Sequence, residues 1–392
     1  FAKELEALVK DPAITPAHWN DYLALKVVDG VFEALPKQYR GEYFTLAQVL
    51  TGAKAELPRW KKCVRAADQQ LGEALAVAYV EKTFGEDGKK TTQEMVRAVE
   101  AAFENNLEKL PWMDADTKKA AAEKLHKIAN KIGYPDKWRS YDGLKVARAS
   151  FLKNTLAAAS FEVAQDLAKI GKPVDRTEWH MTPPTVNAYY NASQNEIVFP
   201  AGILQPPFFD KGASTAVNFG AIGMVVGHEI THGFDDKGRQ FDGDGNLRDW
   251  WSEPSGKAFL ERAACVKSQY DGYVAIDDLK INGALTLGEN VADLGGLKLA
   301  HAAMRAWAAD HPEAVAAGRY NANQQFFLGY AQSWCSMYRP EMARLRVTTD
   351  THSPPYWRVN GALSNLSAFR EAFNCREGDK MVRPAADRCE VW

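Results

Sequence analysis

From Phe1 to about residue 135, apolar and charged positions recur at three- and four-residue spacing, with Ala, Glu, Lys and Leu dominant. Met95, Val96, Val99, Ala102 and Phe103 fall on one face of such a helix. Asp114 or Asp116, with Thr117 close behind, offers an N-cap for a helix over 118–132, and the GYPD sequence at 133–136 stops it. A further helix is expected over 151–170. The period then changes. Val186 to Tyr190 and Glu196 to Phe199 are β-prone runs around a polar turn, which predicts a hairpin. A helix follows over about 214–234, with the glycine-punctuated apolar stretch 220–227 as its buried start. No internal repeat or low-complexity tract interrupts the pattern.

The apolar fraction of 46% over 392 residues is ample for a core, and the length favours two lobes. We place a helical lobe at 1–140 and a second lobe at 141–392. Lys and Arg number 48 against 50 Asp and Glu, so the net charge is −2. With no basic stripe, nucleic acid is excluded as the main partner. No run reaches the ~18 apolar residues that suggest a transmembrane helix. The opening FAKELEALVK lacks the charged and apolar regions of a secretory signal, which fits a cut N-terminus or cytosolic residence. Cys63, Cys265, Cys335, Cys375 and Cys389 are an odd set without C-x-x-C spacing, so at least one thiol is unpaired within the chain. Buried free thiols in a cytosolic enzyme are one reading of them.

Weaker signals are set aside here. Asn191 and Asn365 head glycosylation acceptor patterns. Asp242 opens a stretch resembling a calcium loop, with Glu253 in twelfth place. Leu247 stands where that loop needs glycine, so a plain Asp/Gly/Asn turn is expected. His18 and His126 are expected at the surface or satisfied in the core.

The chemistry concentrates in GHEITHG at 227–233. On a helix His228 and His232 share a face, roughly 6 Å apart along the axis. Both imidazoles can therefore reach one zinc ion. Glu229 points beside the metal and can take a proton from a water there. A third ligand is available in GENVAD at 288–293, where Glu289 and Asp293 are again one turn apart. One carboxylate can bind metal while the other accepts the free N–H of a ligand histidine. Two histidines, one glutamate and an open fourth position describe a catalytic zinc, whereas a structural zinc is closed and usually uses cysteine, absent near this motif. His352 and Arg358 are candidate oxyanion donors or ordinary loop residues.

These residues resemble the neprilysin and endothelin-converting enzyme family of zinc metallopeptidases. The matching stretches are NAYY at 187–190, IVFPAGILQPPFF at 197–209, HEITHGFDD at 228–236, GENVADLGG at 288–296, Trp334-Cys335 through Arg339-Pro340, HSP at 352–354, and the terminal CEVW. WMD at 112–114 and KIGYPD at 131–136 match in the helical lobe. The resemblance implies a mainly α fold with a small β-sheet (α+β): a zincin-type catalytic lobe with the 228–232 helix beneath the sheet and the 289–293 helix opposite, plus a helical capping lobe. It implies one zinc ion on His228, His232 and Glu289, with Glu229 as general base. It implies that Asp293 orients His228, that His352 stabilises the oxyanion, and that Arg358 binds a substrate carbonyl while held by Asp235. Asn187 and Ala188 would pair with the peptide backbone as an added strand. Ile203, Phe208, Met224, Val225 and Trp334 would form an apolar pocket for the side chain after the scissile bond, with Ser333 replacing a residue that is often apolar.

The implied activity is hydrolysis of oligopeptides before large hydrophobic residues. Family members carry a large segment upstream of the region matching Phe1, so the chain reads as the C-terminal portion of a longer protein whose missing segment is a candidate partner. In the family, counterparts of Cys265 and Cys389 bond to each other, and those of Cys63, Cys335 and Cys375 bond to the missing segment. This shifts the expected location to outside the cytoplasm. Two rivals stand beside the enzyme: a peptide-binding protein that keeps the fold without turnover, and a structural-zinc interaction module. The intact set Glu229, Asp293, His352 and Arg358 argues against the first, and Glu229 with the lack of cysteine ligands against the second.

Overall fold

The computed structural model describes residues 2–311 and 319–392. The chain forms two compact units: 1–71 with 140–174, and 72–139 with 175–392. Helix α4 (Arg59–Thr83) passes from one unit to the other through Leu71, whose φ of −137° and ψ of 34° are not helical.

In the first unit, α1 (Ala2–Lys10), α2 (Pro16–Val31), α3 (Lys37–Thr51) and the start of α4 are joined by α7 (Phe151–Leu167). Thr15 caps α2, and Phe32 stacks on Tyr43. Val31 and Ala158 are its buried apolar residues among those described, while Leu25, Val27, Val49 and others stay exposed.

The second unit holds the main core. Helix α5 (Glu86–Lys109) buries Met95, Val96, Val99 and Phe103, the face expected from their spacing. Asp114 is the cap of α6 (Ala115–His126), accepting from the Thr117 amide at 2.9 Å. The helix expected through residue 132 stops six residues early. Residues Ala129–Gly133 are strand β1, parallel to β3 (Glu196–Pro200), with Ala129 opposite Glu196 and Gly133 opposite Pro200. The main chain here pairs with a partner far away in sequence, and that pairing overrides a local pattern that is compatible with a helix. Strand β2 (Tyr189–Asn191) runs antiparallel to β3 on its other side, so the predicted hairpin is present and β2 is an edge.

The helix expected over 214–234 is spliced from three pieces. They are α8 (Thr215–Asn218), a π-helical turn (Phe219–Gly223), and α9 (Met224–His232). Almost every residue in it is buried, so no polar stripe marks the wider turn. Helix α10 (Glu253–Asp271), the short ribbon β4 (Val274–Ile276) and β5 (Leu279–Lys280), α11 (Leu287–Asp310), α12 (Ala322–Ser333), α13 (Pro340–Thr349), α14 (Pro355–Leu363) and α15 (Ser367–Ala372) complete the unit. The turn at Asp242 is held by its own carboxylate, which accepts from the Asp244 and Asn246 amides at 2.9 and 3.0 Å. Among the described residues no helix is long and apolar enough to cross a membrane.

Two features fix the site. Helices α9 and α11 meet backbone to backbone: a Cβ on Gly227 would lie 2.7 Å from the Gly296 carbonyl oxygen, and one on Gly296 only 2.6 Å from the His228 nitrogen. Only glycine allows that approach. The terminal Trp392 inserts edge-on against Phe103 and Phe234, and Trp112 donates to the Val391 carbonyl at 3.1 Å. Burying one such aromatic contributes roughly 1.5–3 kcal/mol. A disulfide joins Cys265 on α10 to Cys389, while Cys63, Cys335 and Cys375 are unpaired.

Candidate metal centre and active site

Helix α9 presents His228 and His232 on one face, and the first turn of α11 presents Glu289 towards them. Their ligand atoms lie within 4.8 Å of one another. His228 Nε2 is 3.0 Å from His232 Nε2, and Glu289 Oε2 is 3.2 and 3.5 Å from the two. Glu289 Oε2 is buried and takes no hydrogen bond of proper geometry, although three imidazoles surround it. A donor set of this chemistry around one point suits a shared cation better than mutual hydrogen bonds, and the residues fit zinc.

The ring nitrogens facing away are held. His228 Nδ1 lies 2.9 Å from Asp293 Oδ1, and His232 Nδ1 lies 2.7 Å from Asp235 Oδ2. Accepting from Nδ1–H leaves each Nε2 lone pair aimed at the common point. Burial alone would raise the Glu289 carboxyl, but the close imidazoles of His228 and His232 outweigh it and hold it far below the usual range. Burial pushes Glu229 up, with His228 and His232 opposing. Glu229 is 6% exposed, so it is a carboxylate with little water around it beside a cluster of nitrogens.

Arg358, on α14, is 5% exposed. Its Nε and Nη2 donate to Asp293 at 2.7 and 2.5 Å, and its guanidinium lies 4.0 Å from the centre of the Trp334 ring. The expectation that Asp235 would hold Arg358 is therefore corrected: Asp293 does. Asp235 sits just past the end of α9, where His232 and the amides of Lys237 and Gly238, at 2.8 and 2.7 Å, occupy its carboxylate.

His352 is placed beside the cluster, with Nε2 3.2 Å from Glu289 Oε2 and Nδ1 2.8 Å from Asp350. Ser353, directly after it, donates to Asn290 of α11 at 2.7 Å, and Asn290 in turn donates to Thr286. Asp350 and Asn290 were missed in the sequence. The D-x-H spacing of Asp350 and His352 is the local signal that could have found the first, since a side chain there caps an amide two residues on.

A cavity of about 510 Å³ opens over these groups. Asn187, Ala188, Ile203, Phe208, Met224, Val225, Trp334, His352 and Arg358 all border it, as do His228, Glu229, His232 and Glu289. Ser333 does not; its hydroxyl donates to the Tyr330 carbonyl. Tyr189, Lys237 and Phe241 also border the cavity, and sequence reasoning did not single them out.

A helix with two histidines one turn apart, a carboxylate from a second helix and an edge strand over a cavity define the architecture of a metal-dependent hydrolase. Residues 187–389 match peptidase family M13, and residues 1–135 match the same family through a separate N-terminal profile. The chain belongs to peptidase family M13. It is 40% identical over 382 residues to an endothelin-converting enzyme homolog of Locusta migratoria, across 95% of this chain and 52% of that protein. Against endothelin-converting enzyme 1 of Homo sapiens it is 41% identical over 385 residues, 95% of this chain and 49% of the relative. The crystal structure of the Mycobacterium tuberculosis zinc metalloprotease ZMP1 with an inhibitor superposes with a TM-score of 0.87 at 40% identity, over 91% of this chain and 55% of that one. PepO from Lactobacillus rhamnosis HN001 gives 0.86 at 32%, over 96% and 59%. The chain thus spans about half the length of the curated relatives it matches. The family implies zinc, and the resemblance read from the motifs holds.

Proposed function

We propose that this chain carries the active site of a zinc metalloendopeptidase that cleaves oligopeptides on the amino side of large hydrophobic residues. The observation that carries this reading is the convergence of His228 Nε2, His232 Nε2 and the otherwise unpartnered Glu289 Oε2 beside Glu229 at the floor of one cavity. These three residues would hold a single zinc ion, which when bound would supply Lewis acidity towards a carbonyl and make a water more acidic. Glu229 takes the proton of the attacking water and passes it to the leaving nitrogen, and its burial favours that shuttling. Asp293 and Asp235 fix the two imidazoles. His352, oriented by Asp350, donates to the developing oxyanion. Arg358 has N–H donors beyond those used by Asp293 and binds a substrate carbonyl.

The peptide runs along the edge strand β2, with Asn187 and Ala188 pairing to its backbone. Ile203, Phe208, Met224, Val225 and Trp334 take the side chain after the scissile bond. The Cys265–Cys389 disulfide supports residence outside the cytoplasm.

The test is hydrolysis of a quenched fluorescent peptide with a central Phe or Leu. Zinc-loaded wild type should cleave before that residue, chelation should stop it reversibly, and Glu229→Gln should lose about 10²–10⁴-fold while still binding zinc. Peptide binding without turnover in zinc-loaded wild type would sink the enzymatic reading.

A further inference from the structure

Lys124, on α6, is 1% exposed, and the chemistry above does not use it. Its ammonium has three donors, and each has an acceptor: the carbonyls of Gly233 at 2.6 Å, Gly238 at 2.8 Å and Phe241 at 2.7 Å. All three belong to one loop, the segment leaving the last turn of α9. The rings of Tyr190, Phe234 and Trp250 surround the charge at 5.8, 5.3 and 5.7 Å from their centres. Between Gly233 and Gly238 sits Asp235, whose carboxylate holds His232 Nδ1 and, on its other oxygen, the amides of Lys237 and Gly238.

We propose that Lys124 is a positioning residue for the metal centre: it clamps both ends of the loop that carries Asp235, and so fixes the orientation of His232. The inference rests on His232 being a zinc ligand, as proposed above. The Phe241 carbonyl also accepts from Trp250 Nε1 at 2.9 Å. The loop's backbone bonds make one local unit: Arg239 donates to Asp235, Gln240 to Lys237 and Phe241 to Gly238 within it, Gly233 and Phe234 donate back to Ile230 and Thr231 of α9, and Arg248 of the following turn donates to Gln240. Lys124 ties that unit to a helix outside it. Asn195 adds a strap from the hairpin, donating to the carbonyls of Lys124 and Gly243, both at 3.1 Å. Burial pushes the Lys124 pKa down to about 7, with Asp235 and Asp242 opposing. A side chain of equal length without charge is therefore the cleanest replacement.

The experiment measures zinc dissociation constants by competition with a chromophoric chelator for wild type, Lys124→Met, Asp235→Asn and the double variant, with folding checked by circular dichroism. Lys124→Met is expected to weaken zinc about tenfold or more, as does loss of a group that orients a ligand. If Lys124 acts through Asp235, the double variant binds zinc as Asp235→Asn does, within about twofold, because the two losses report one coupling. Losses that multiply, or a folded Lys124→Met with wild-type affinity, overturn the proposal. If Lys124→Met does not fold, Lys124→Gln, which keeps an amide donor, takes its place under the same criteria. Failure of both to fold makes Lys124 a determinant of the fold alone and overturns the positioning role. Absence of zinc binding in wild type would instead remove the metal-centre reading on which this one stands.

Discussion

Asp293 places one carboxylate between two partners, His228 Nδ1 at 2.9 Å and the Arg358 guanidinium at 2.5 and 2.7 Å, with none of the three residues more than 6% exposed. A buried ion pair and an imidazole bond thus share one anion. Removing it by Asp293→Ala strands a buried guanidinium and should cost about 3–5 kcal/mol in urea denaturation. Asp293→Asn should weaken zinc about 10–100-fold in chelator competition. The pair Asp293→Asn with Arg358→Met, which removes both charges, should recover much of the stability and none of the zinc affinity. Recovery of both would separate Asp293 from the metal.

Asp114 gives a pH signature of its own. Hydrogen bonds from Ser252 and Ser255, then the Thr117 amide, hold its carboxyl well below the usual carboxylate range. A folded-state pKa below the unfolded one means the unfolded chain binds more protons as pH falls. The stabilisation is therefore complete above the ordinary carboxylate pKa of about 3.9 and fades as pH drops below it. Asp114→Ala should cost about 0.5–2 kcal/mol at neutral pH as a lost cap. The difference from wild type should shrink in denaturation at strongly acidic pH. A gap that is constant with pH would contradict the assignment.

Substitution at the α9–α11 contact should be more damaging than its size suggests. A Cβ at Gly296 would meet the His228 nitrogen at 2.6 Å and the Met224 carbonyl at 2.8 Å, both main-chain atoms. Gly296→Ala should destabilise by about 1–3 kcal/mol or more and weaken zinc at the same time. Gly41→Ala is the matched control, since nothing lies within 4 Å of its Cβ on helix α3. It should be neutral or slightly stabilising by thermal melting.

The disulfide closes a separation of 124 residues. Cys389→Ser should cost about 2–5 kcal/mol, read as a lower thermal midpoint that reduction of wild type reproduces. Equal midpoints for oxidised and reduced wild type would show that the packing of Trp392 alone holds the terminus.

Much of the site could be read in the chain because its geometry is local. His228 and His232 are one turn apart, as are Glu289 and Asp293, so helical periodicity alone groups them. What periodicity cannot show is which carboxylate meets which base across elements. Asp235 was paired with Arg358, yet the chain turns back after α9 and delivers Asp235 to His232, leaving Arg358 to Asp293. Strand β1 was hidden for a related reason. The residues Ala, Asn, Lys, Ile and Gly carry no alternation, and their strand exists because β3 offers a parallel edge. The division into compact units was equally hidden, since α4 reads as one continuous helical pattern across Leu71. Lys124 gave no sign at all: one lysine among helical lysines becomes distinctive only when three carbonyls and three rings close on it.

The glycine contact between α9 and α11 also bears on how such a site can change over generations. The separation of the two ligand-bearing helices is set by main chain touching main chain, so it does not depend on the bulk of any side chain. The cavity wall at Ile203, Phe208 and Trp334 comes from other segments of the chain. Substitutions there can widen or narrow the cavity while the helix spacing stays as it is. Selection can therefore reshape the cavity through its wall without first having to rebuild the contact between the two helices.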